Sequence, residues 1–375
     1  MRKICAILLP LLVARSLHAA DAGTTSADFL KIGIGPRAIG MGDAQVAAAN
    51  DVYATYWNPA GLAQLTTQEA GFVQTQYFQD ISQQYLAYAY PHSSLGTLAG
   101  SINYLSVGKF QGYDASGLPT GEVGAHDAAF SLCYARSFWK SERMESQLSA
   151  GVTGKWIQER LDTVSAHAYA LDAGLLYDPG RSLGEFWRGL RAGLAVRNLG
   201  TSMTFDQEAA PLPRSVTAGL SYTGPWLGEL ITLAVDGEQP NDGARILNAG
   251  VELSTFQTFV LRAGYTSEGD LGNGIRAGAG LRFKTVQIDY AYESAGALGT
   301  AHRIGLTLRF AQPPANPLAL AEDWYEKGMK EYKRSHYPEA MVDFNKALEI
   351  DPSQPQALEM MRKTNDQLKA ATPEP

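Results

Sequence analysis

From about Gln68 to Phe310 apolar side chains recur at every second position, in short runs separated by turn-forming residues. Leu148, Ala150, Val152, Gly154 and Trp156 fall on one side of such a run, with Ser149, Gly151, Thr153 and Lys155 on the other. Leu190, Ala192, Leu194 and Val196 repeat the pattern, and so do Val216 to Tyr222, Phe259 to Tyr265, Ile275 to Phe283, Val286 to Tyr292 and Ile304 to Phe310. A period of two belongs to a β-strand with one apolar face. The runs begin near residues 68, 83, 97, 126, 146, 166, 189, 214, 229, 245, 257, 273, 285 and 301, which predicts about fourteen strands.

The second face of these strands decides their environment. It carries Gly, Ser, Thr and Ala with scattered charges, as in Arg262 and Gly264 or Arg276, Gly278 and Gly280. A soluble sandwich would show lysines and glutamates to water there, whereas small, mildly polar residues suit a filled barrel lumen. Tyr77, Trp156, Tyr177, Tyr265 and Phe283 lie near run ends, where an aromatic girdle would meet the membrane interface. Alternation alone leaves a soluble sandwich with aromatic cross-strand pairs as the other reading. An even strand number returns both ends to the periplasm. Connections alternate accordingly: those over 108–125 and 200–213 are long, and those near Phe256 and Lys284 are tight. The fourth and sixth are longer than a periplasmic turn should be. The last run, Arg303 to Phe310, resembles the assembly signal of outer-membrane barrels, with Gly305, Leu308 and the terminal aromatic Phe310 in place.

The front of the chain is different. Arg2 and Lys3 precede an apolar stretch from Ile4 to Val13, and Leu17-His18-Ala19 offers a cleavage site, so residues 1–19 are a signal peptide. Cys5 leaves with it, and a lone Cys133 then excludes an internal disulfide, a cysteine zinc site and a CxxC redox centre. No later segment has the length and apolarity of a membrane helix. Ala27 to Leu65 is glycine-rich without strand periodicity, and it lacks both Gly-x-Gly-x-x-Gly after a strand and a phosphate-loop lysine. Gly33, Gly35, Gly40 and Gly42 suit close backbone packing in a plug. Asn58-Pro59 is a turn initiator, with Pro59 able to open a short helical turn.

The block Arg37-Ala38-Ile39-Gly40-Met41-Gly42-Asp43-Ala44, followed by Tyr56-Trp57-Asn58-Pro59-Ala60-Gly61-Leu62, resembles the N-terminal signature of the PorV/PorQ family, whose members resemble FadL-type outer-membrane proteins. Asp43 stands where a small residue is common. The likeness is close over the signature and general in pattern from Gln68 to Phe310. It implies a fourteen-stranded barrel plugged by an N-terminal hatch, with Arg37, Gly40, Met41, Gly42, Asn58, Pro59 and Ala60 as the hatch motif. FadL-type members pass hydrophobic compounds through the lumen and out sideways through a gap in the wall after the hatch shifts. PorV-like members serve a protein secretion system that delivers cargo to the cell surface.

Behind Gln312-Pro313-Pro314-Ala315-Asn316-Pro317, a stiff linker, the composition turns strongly charged. Ala321 to Gln354 fits one tetratricopeptide repeat, with Trp324, Gly328, Tyr332, Tyr337, Ala340, Phe344, Ala347 and Pro352 at the signature positions. Trp324 and Phe344 are expected to fill the space between two helices that Gly328 and Ala340 let approach. Lys327, Glu331 and Ser335 depart from the pattern, Ser335 replacing the turn glycine. Pro355 to Ala370 supplies a capping helix. A single repeat buries little core, so it is completed by docking on the barrel, by self-association or by a periplasmic partner.

Composition then falls into place. Mean hydropathy is -0.16, because a polar lumen and a charged tail offset the lipid-facing side. The 18% of charged residues and net charge of -7, without a basic tract, exclude nucleic acid as the main partner. His92, His126, His167, His302 and His336 show no metal-binding spacing, and there is no Gly-x-Ser-x-Gly elbow. No catalytic residue, metal or cofactor is expected, and the protein is read as a non-enzyme. Inward Asp172, Asp236, Glu252, Asp289 and Glu293 can pair with Arg191, Arg197, Arg262, Arg276, Arg282 and Arg303, which stiffens the barrel in preference to steering a substrate.

The expectation is an all-β transmembrane antiparallel barrel with a hatch, plus a small all-α tetratricopeptide domain. The boundaries are signal peptide 1–19, hatch 20–66, barrel 67–311, linker 312–317, repeat with capping helix 318–371 and tail 372–375. It sits in the outer membrane with its C-terminal domain in the periplasm. The expected partners are outer-membrane lipid, the barrel-assembly machinery, a hydrophobic ligand and a periplasmic protein held by the repeat. The function is passage of hydrophobic, fatty-acid-like molecules through a hatch-gated lumen, with a PorV-like role in secretion or surface attachment as the alternative.

Overall fold

Fourteen strands follow one another round a closed barrel, each hydrogen-bonded antiparallel to its neighbours. They are β1 (Gln68–Gln76), β2 (Ser82–His92), β3 (Gly96–Tyr113), β4 (Pro119–Ser141), β5 (Ser146–Leu161), β6 (Val164–Asp178), β7 (Leu190–Gly200), β10 (Ser215–Trp226), β11 (Glu229–Pro240), β12 (Ile246–Thr255), β13 (Phe259–Thr266), β14 (Ile275–Arg282), β15 (Val286–Ser294) and β16 (Thr300–Phe310). Two short strands, β8 (Met203–Phe205) and β9 (Glu208–Ala210), form a separate hairpin. Closure pairs β1 with β16, from Gln68 opposite Phe310 to Gln76 opposite His302. The computed structural model describes residues 23–310 and 317–371, apart from 93, 142–143, 185–186, 206–207, 227–228, 257, 269–271, 295, 297–298 and 353. The expected signal peptide (1–19), most of the expected linker (312–316) and the 372–375 tail lie outside the described residues.

Burial alternates along the strands, with apolar side chains facing outward and small or polar ones inward. Leu132, Leu171, Leu247 and Leu261 are each more than half exposed on the outside. A closed barrel leaves no strand edge unpaired, and such an apolar exterior requires a lipid surround. No described helix is long and apolar enough to cross a membrane, which leaves spanning to the strands.

The end carrying Gln68 and Phe310 is called proximal and the opposite end distal. Three sequence expectations about the connections change. Residues 108–125 are no long loop, because β3 and β4 continue as a ribbon to a turn at 114–118. Glycines 108, 112, 117, 121 and 124 mask its alternation. The 200–213 connection contains the β8–β9 hairpin, which turns Met203 into the barrel. The fourth connection is short, since β4 runs on to Ser141, whereas the sixth, 179–189, stays long.

Residues 28–65 run through the lumen. They form 3-10 turns at Asp28–Lys31 and Pro59–Gln64 and two short helices, α1 (Pro36–Gly40) and α2 (Ala54–Trp57). Ile34, Ala38, Val52, Tyr53, Trp57 and Leu62 pack on Val73, Tyr85, Ala87 and Ala99 of the wall.

The chain divides into two compact units, Met1–Phe310 and Ala311–Pro375. In the second, α3 (Pro317–Lys333), α4 (Tyr337–Ile350) and α5 (Pro355–Ala371) surround Ala340, Phe344 and Met360. A side chain at Gly328 would meet Phe344 at 2.6 Å, so glycine is what permits that contact. Tyr332 packs partly buried on this cluster, Ala347 is fully buried and Pro352 is exposed beyond α4. Trp324 does not fill the interhelical space as expected. Tyr325, about 100° further round the helix, takes the inward position. The Trp324 ring lies instead beneath the ammonium groups of Lys346 and Lys327, at 4.3 and 4.6 Å. Pro317 opens α3 rather than closing the linker.

Helix α3 ends in a Schellman motif, with Ser335 N–H donating to Tyr332 and His336 N–H to Glu331. Ser335 carries the left-handed conformation at φ 63°. Ser335→Gly is therefore expected to stabilise this unit by about 0.5–1 kcal/mol, seen as a raised melting transition of the helical signal. An unchanged or lowered transition would contradict the assignment of strain to this residue.

Candidate functional site

The hatch motif seats residues 33–65 against the wall. Arg37 is buried and donates twice to Glu252 of β12, Nε to Oε2 at 2.9 Å and Nη2 to Oε1 at 3.2 Å. Glu252 also accepts from Arg262 Nε at 2.7 Å, and Arg262 Nη1 continues to Asp289 at 2.6 Å. A parallel chain runs from Asp43 to Arg276, then to Glu293 at 2.5 Å and on to Arg303 at 2.5 Å. Each charge in these two chains thus faces an opposite one, the condition under which ions persist in a lumen.

Of the inward charges named from sequence, Glu252, Asp289, Glu293, Arg262, Arg276 and Arg303 join these chains, and the other five do not. Asp236 pairs with no arginine among the described residues and instead accepts the backbone N–H groups of Gln45 and Val46, at 2.6 and 2.7 Å. Arg282 bonds Gln287 rather than a carboxylate among the described residues. Arg197 pairs with Glu238 at 2.8 Å and stacks on Tyr56 and Trp57, and Arg191 pairs with Asp178. Tyr77 belongs to no girdle, since its hydroxyl accepts from Arg303 Nη2 at 2.6 Å inside the barrel.

The remaining motif residues set backbone against backbone. Met41 is fully buried beside Ala44, Ala48 and Ala234. Gly40 approaches Gly278, and Gly42 holds φ 63° where a side chain would strike Tyr265 N at 2.4 Å. Wall glycines reciprocate: a side chain at Gly264 would lie 2.1 Å from Gly42 N, at Gly250 2.3 Å from Met41 O, and at Gly151 2.4 Å from the Pro59 carbonyl carbon. Asn58 caps the turn opened by Pro59, accepting from Ala60 N–H at 3.1 Å. Its amide donates to Val46 O at 2.7 Å and Leu175 O at 3.1 Å, so one side chain ties two hatch segments to β6. Gly305 faces inward onto Pro36, whereas Leu308 and Phe310 share the outward register of β16.

The start of the hatch behaves differently. Phe29 and Leu30 enter an apolar chamber with Leu105, Ala129, Ile157, Ala168, Met203 and Leu212. This arm is held at its distal end by Lys31 and Thr25, both bonded to Asp242, and by Ser26 N–H to Pro211 O at 2.9 Å. Beside the chamber, the β6–β7 ladder slips between Leu171 and Ala173. Asn198 adopts φ 58° there, its N–H donating to Asp172 at 2.8 Å. Lys155 closes the gap, with Nζ 2.6 Å from Asp172 and 2.8 Å from Asn198 Oδ1. Neither the arm nor this lock was singled out by periodicity, although Lys155 on an otherwise small inward face was a usable signal.

A family model described as Type IX secretion system protein PorV matches residues 16–222. The chain belongs to this PorV family. No curated protein matches the sequence. Among solved structures, the toluene transporter TbuX of Ralstonia pickettii is 15% identical with a TM-score of 0.49, covering 74% of this chain and 99% of its own. The P. putida toluene transporter TodX is 12% identical with a TM-score of 0.47, covering 75% and 99%. A Pseudomonas aeruginosa FadL homologue is 11% identical with a TM-score of 0.41, covering 74% and 98%. This PorV-family barrel, with its closed sheet and apolar exterior, resides in the outer membrane.

The arm's tether has a pH signature. Burial works against the Asp242 carboxylate, but bonds from Lys31 and Thr25 outweigh it and hold the group below its usual range. Burial likewise works against the Lys31 ammonium, and Asp242 with Asp28 outweighs it, holding the group above its usual range. A depressed carboxylate contributes stability that is present above about pH 4 and lost as pH falls through the lower folded value. A raised ammonium contributes stability present below about pH 10 and lost only above that. Amide-exchange protection over residues 25–32 is therefore expected to stay level from about pH 5 to 9 and to drop below pH 4. Protection unaltered by Asp242→Asn would remove the tether from the account.

Proposed function

We propose that hydrophobic, fatty-acid-like molecules enter the lumen of this barrel from its distal end, displace the hatch arm and leave sideways through the wall. The observation that carries this is the chamber occupied by Phe29 and Leu30, an apolar room filled by a segment held by Asp242 at the distal end and by the Tyr56 hydroxyl on the Leu30 carbonyl, while the rest of the hatch is clamped by buried ion pairs. The distal end faces the cell exterior on this reading, in keeping with the short turns of the proximal end, the sixth connection over 179–189 excepted. The slipped β6–β7 ladder, sealed by Lys155, Asp172 and Asn198, is the wall's weak point for sideways exit. The hatch motif acts as the fixed seat and not as a catalytic constellation.

The test is uptake of a labelled long-chain fatty acid into liposomes holding a Ser26→Cys/Ala210→Cys variant, whose positions adjoin through the Ser26 hydroxyl and the Ala210 carbonyl at 3.1 Å. Oxidation should stop uptake and reduction restore it. Uptake indifferent to that disulfide, or equal to protein-free liposomes, would overturn the reading.

A second reading is favoured by the family match over residues 16–222: a component of a type IX secretion system. Here the C-terminal helices, read as a tetratricopeptide repeat in the periplasm, bind a partner protein. Gly305, Leu308 and Phe310 act as the assembly signal in either case. Deleting residues 318–375 should leave the barrel folded and abolish partner co-purification, and undiminished co-purification would exclude the repeat as the binding element.

A further inference from the structure

On the outer wall, β5 carries a gap in its lipid-facing row. Gly154 faces outward between its cross-strand neighbours Leu132 of β4 and Leu171 of β6. Those leucines are 70% and 62% exposed, and a side chain built at Gly154 would meet nothing within 4 Å. The result is a groove of about 690 Å³, lined also by Phe130, Trp156, Tyr169 and Leu199.

The residues just distal to it are of another kind. In the outward register above Trp156, Gln158 stands opposite His167 and Arg160 opposite His126. Arg160 Nε donates to the Asp162 carbonyl in the adjoining turn at 2.9 Å, and its other guanidinium protons have no partner among the described residues. The outward positions of β3 to β6 at this level hold no carboxylate. Asp127 and Glu159, one residue along, pair on the lumen side, where Glu159 accepts the Ala27 N–H of the hatch.

Leu148 to Trp156 makes up the apolar run of β5, close to the roughly 9–11 residues a tilted strand needs to span the hydrocarbon. Gln158 and Arg160 therefore begin the head-group layer, and the groove lies in hydrocarbon directly beneath them. The apolar slot and the cationic head-group row share the same strands. A guanidinium with free protons matches a phosphate in charge and in paired donor geometry, and two imidazoles flank it as further donors.

We propose that this face is a binding site for one phosphate-bearing lipid of the surrounding membrane. An acyl chain fills the groove over Gly154, and the phosphate sits on Arg160 between His126 and His167. The groove borders the slipped β6–β7 ladder and shares Leu171 and Lys155 with it, but lipid binding on the outer wall is measured apart from passage through the lumen.

The experiment is native mass spectrometry of the full chain in detergent, titrated with dipalmitoyl phosphatidic acid or with dipalmitoylglycerol, which has the same chains and no phosphate. Wild type should take up one phosphatidic acid, about tenfold more tightly than the diacylglycerol. Gly154→Leu, which fills the slot without touching protein, should abolish binding of both. Arg160→Gln should bring phosphatidic acid down to the diacylglycerol level, whereas Arg136→Gln, outward near the proximal end, should leave the preference unchanged. Heat-resistant migration of each variant checks that the barrel is intact. Undiminished binding by Gly154→Leu overturns the slot. A phosphate preference that survives Arg160→Gln, or disappears equally with Arg136→Gln, overturns the head-group assignment.

Discussion

Gly264→Val should unseat the hatch. Its new Cβ would stand 2.1 Å from Gly42 N and 2.3 Å from the Met41 carbonyl carbon. Both obstacles are backbone, so no rotamer change relieves the overlap. Either the α1 segment lifts from the wall or β13 bows outward. Overpacking of a well-filled interior typically costs about 1–3 kcal/mol, and this contact belongs at or above the top of that range. Two measurements should move together: denaturant resistance should fall, and ion conductance through single barrels in a planar bilayer should rise as the plug loosens. Gly154→Leu is the matched control, because it adds more atoms to the same sheet where nothing lies within 4 Å. A Gly264→Val barrel with unchanged resistance and conductance would show that the hatch does not rest on this wall.

Glu252→Gln should cost about 3–5 kcal/mol, the usual consequence of removing one member of a buried ionic group. Glu252 is shared by Arg37 of the hatch and Arg262 of the wall, and no other carboxylate among the described residues bridges the two. Replacement leaves Arg37 with Asp51 at 3.3 Å and Arg262 with Asp289, while two guanidinium groups face each other across a neutral amide. The loss is expected both in chemical unfolding and in protease access to residues 33–50. Combining it with Arg37→Gln should recover part of the loss, since the second substitution removes the orphaned charge; a coupling below about 0.5 kcal/mol would mean the two residues act independently.

How much of this could be read in advance follows from the range of each interaction. Strand periodicity is local, so the fourteen barrel strands and their inward and outward faces follow from runs such as Leu148 to Trp156. The β3–β4 ribbon escaped because glycine has no side chain to alternate. Tyr77 was misplaced because a residue just past a strand end has no register of its own, and only Arg303 shows which way it faces. The hatch clamps were beyond reach for a different reason. Arg37 and Glu252 are 215 positions apart, and Asp43 and Arg276 are 233 apart, so nothing near either residue names its partner. In the helical unit Phe344 lies in the core with Gly328 against it, and the choice between Trp324 and Tyr325 for the same core depends on a rotation of one residue, which no local pattern fixes.

Those long separations also constrain how the molecule is made. The hatch is synthesised before any strand, yet Glu252 and Arg276, the partners of its buried Arg37 and Asp43, lie on β12 and β14, and Asp236, which accepts two of its backbone N–H groups, lies on β11. Its arm reaches the distal end while its exit into β1 is proximal, so the segment runs the length of the lumen. Threading it through an already sealed cylinder would demand passage of a charged, bulky segment past Arg262, Arg276 and Arg303. Wrapping the late strands around a waiting hatch avoids that barrier and makes β16 meeting β1 the final step. The plug is then a mandrel on which the cylinder is wound, and its non-local contacts make assembly slow until the last strands are in place.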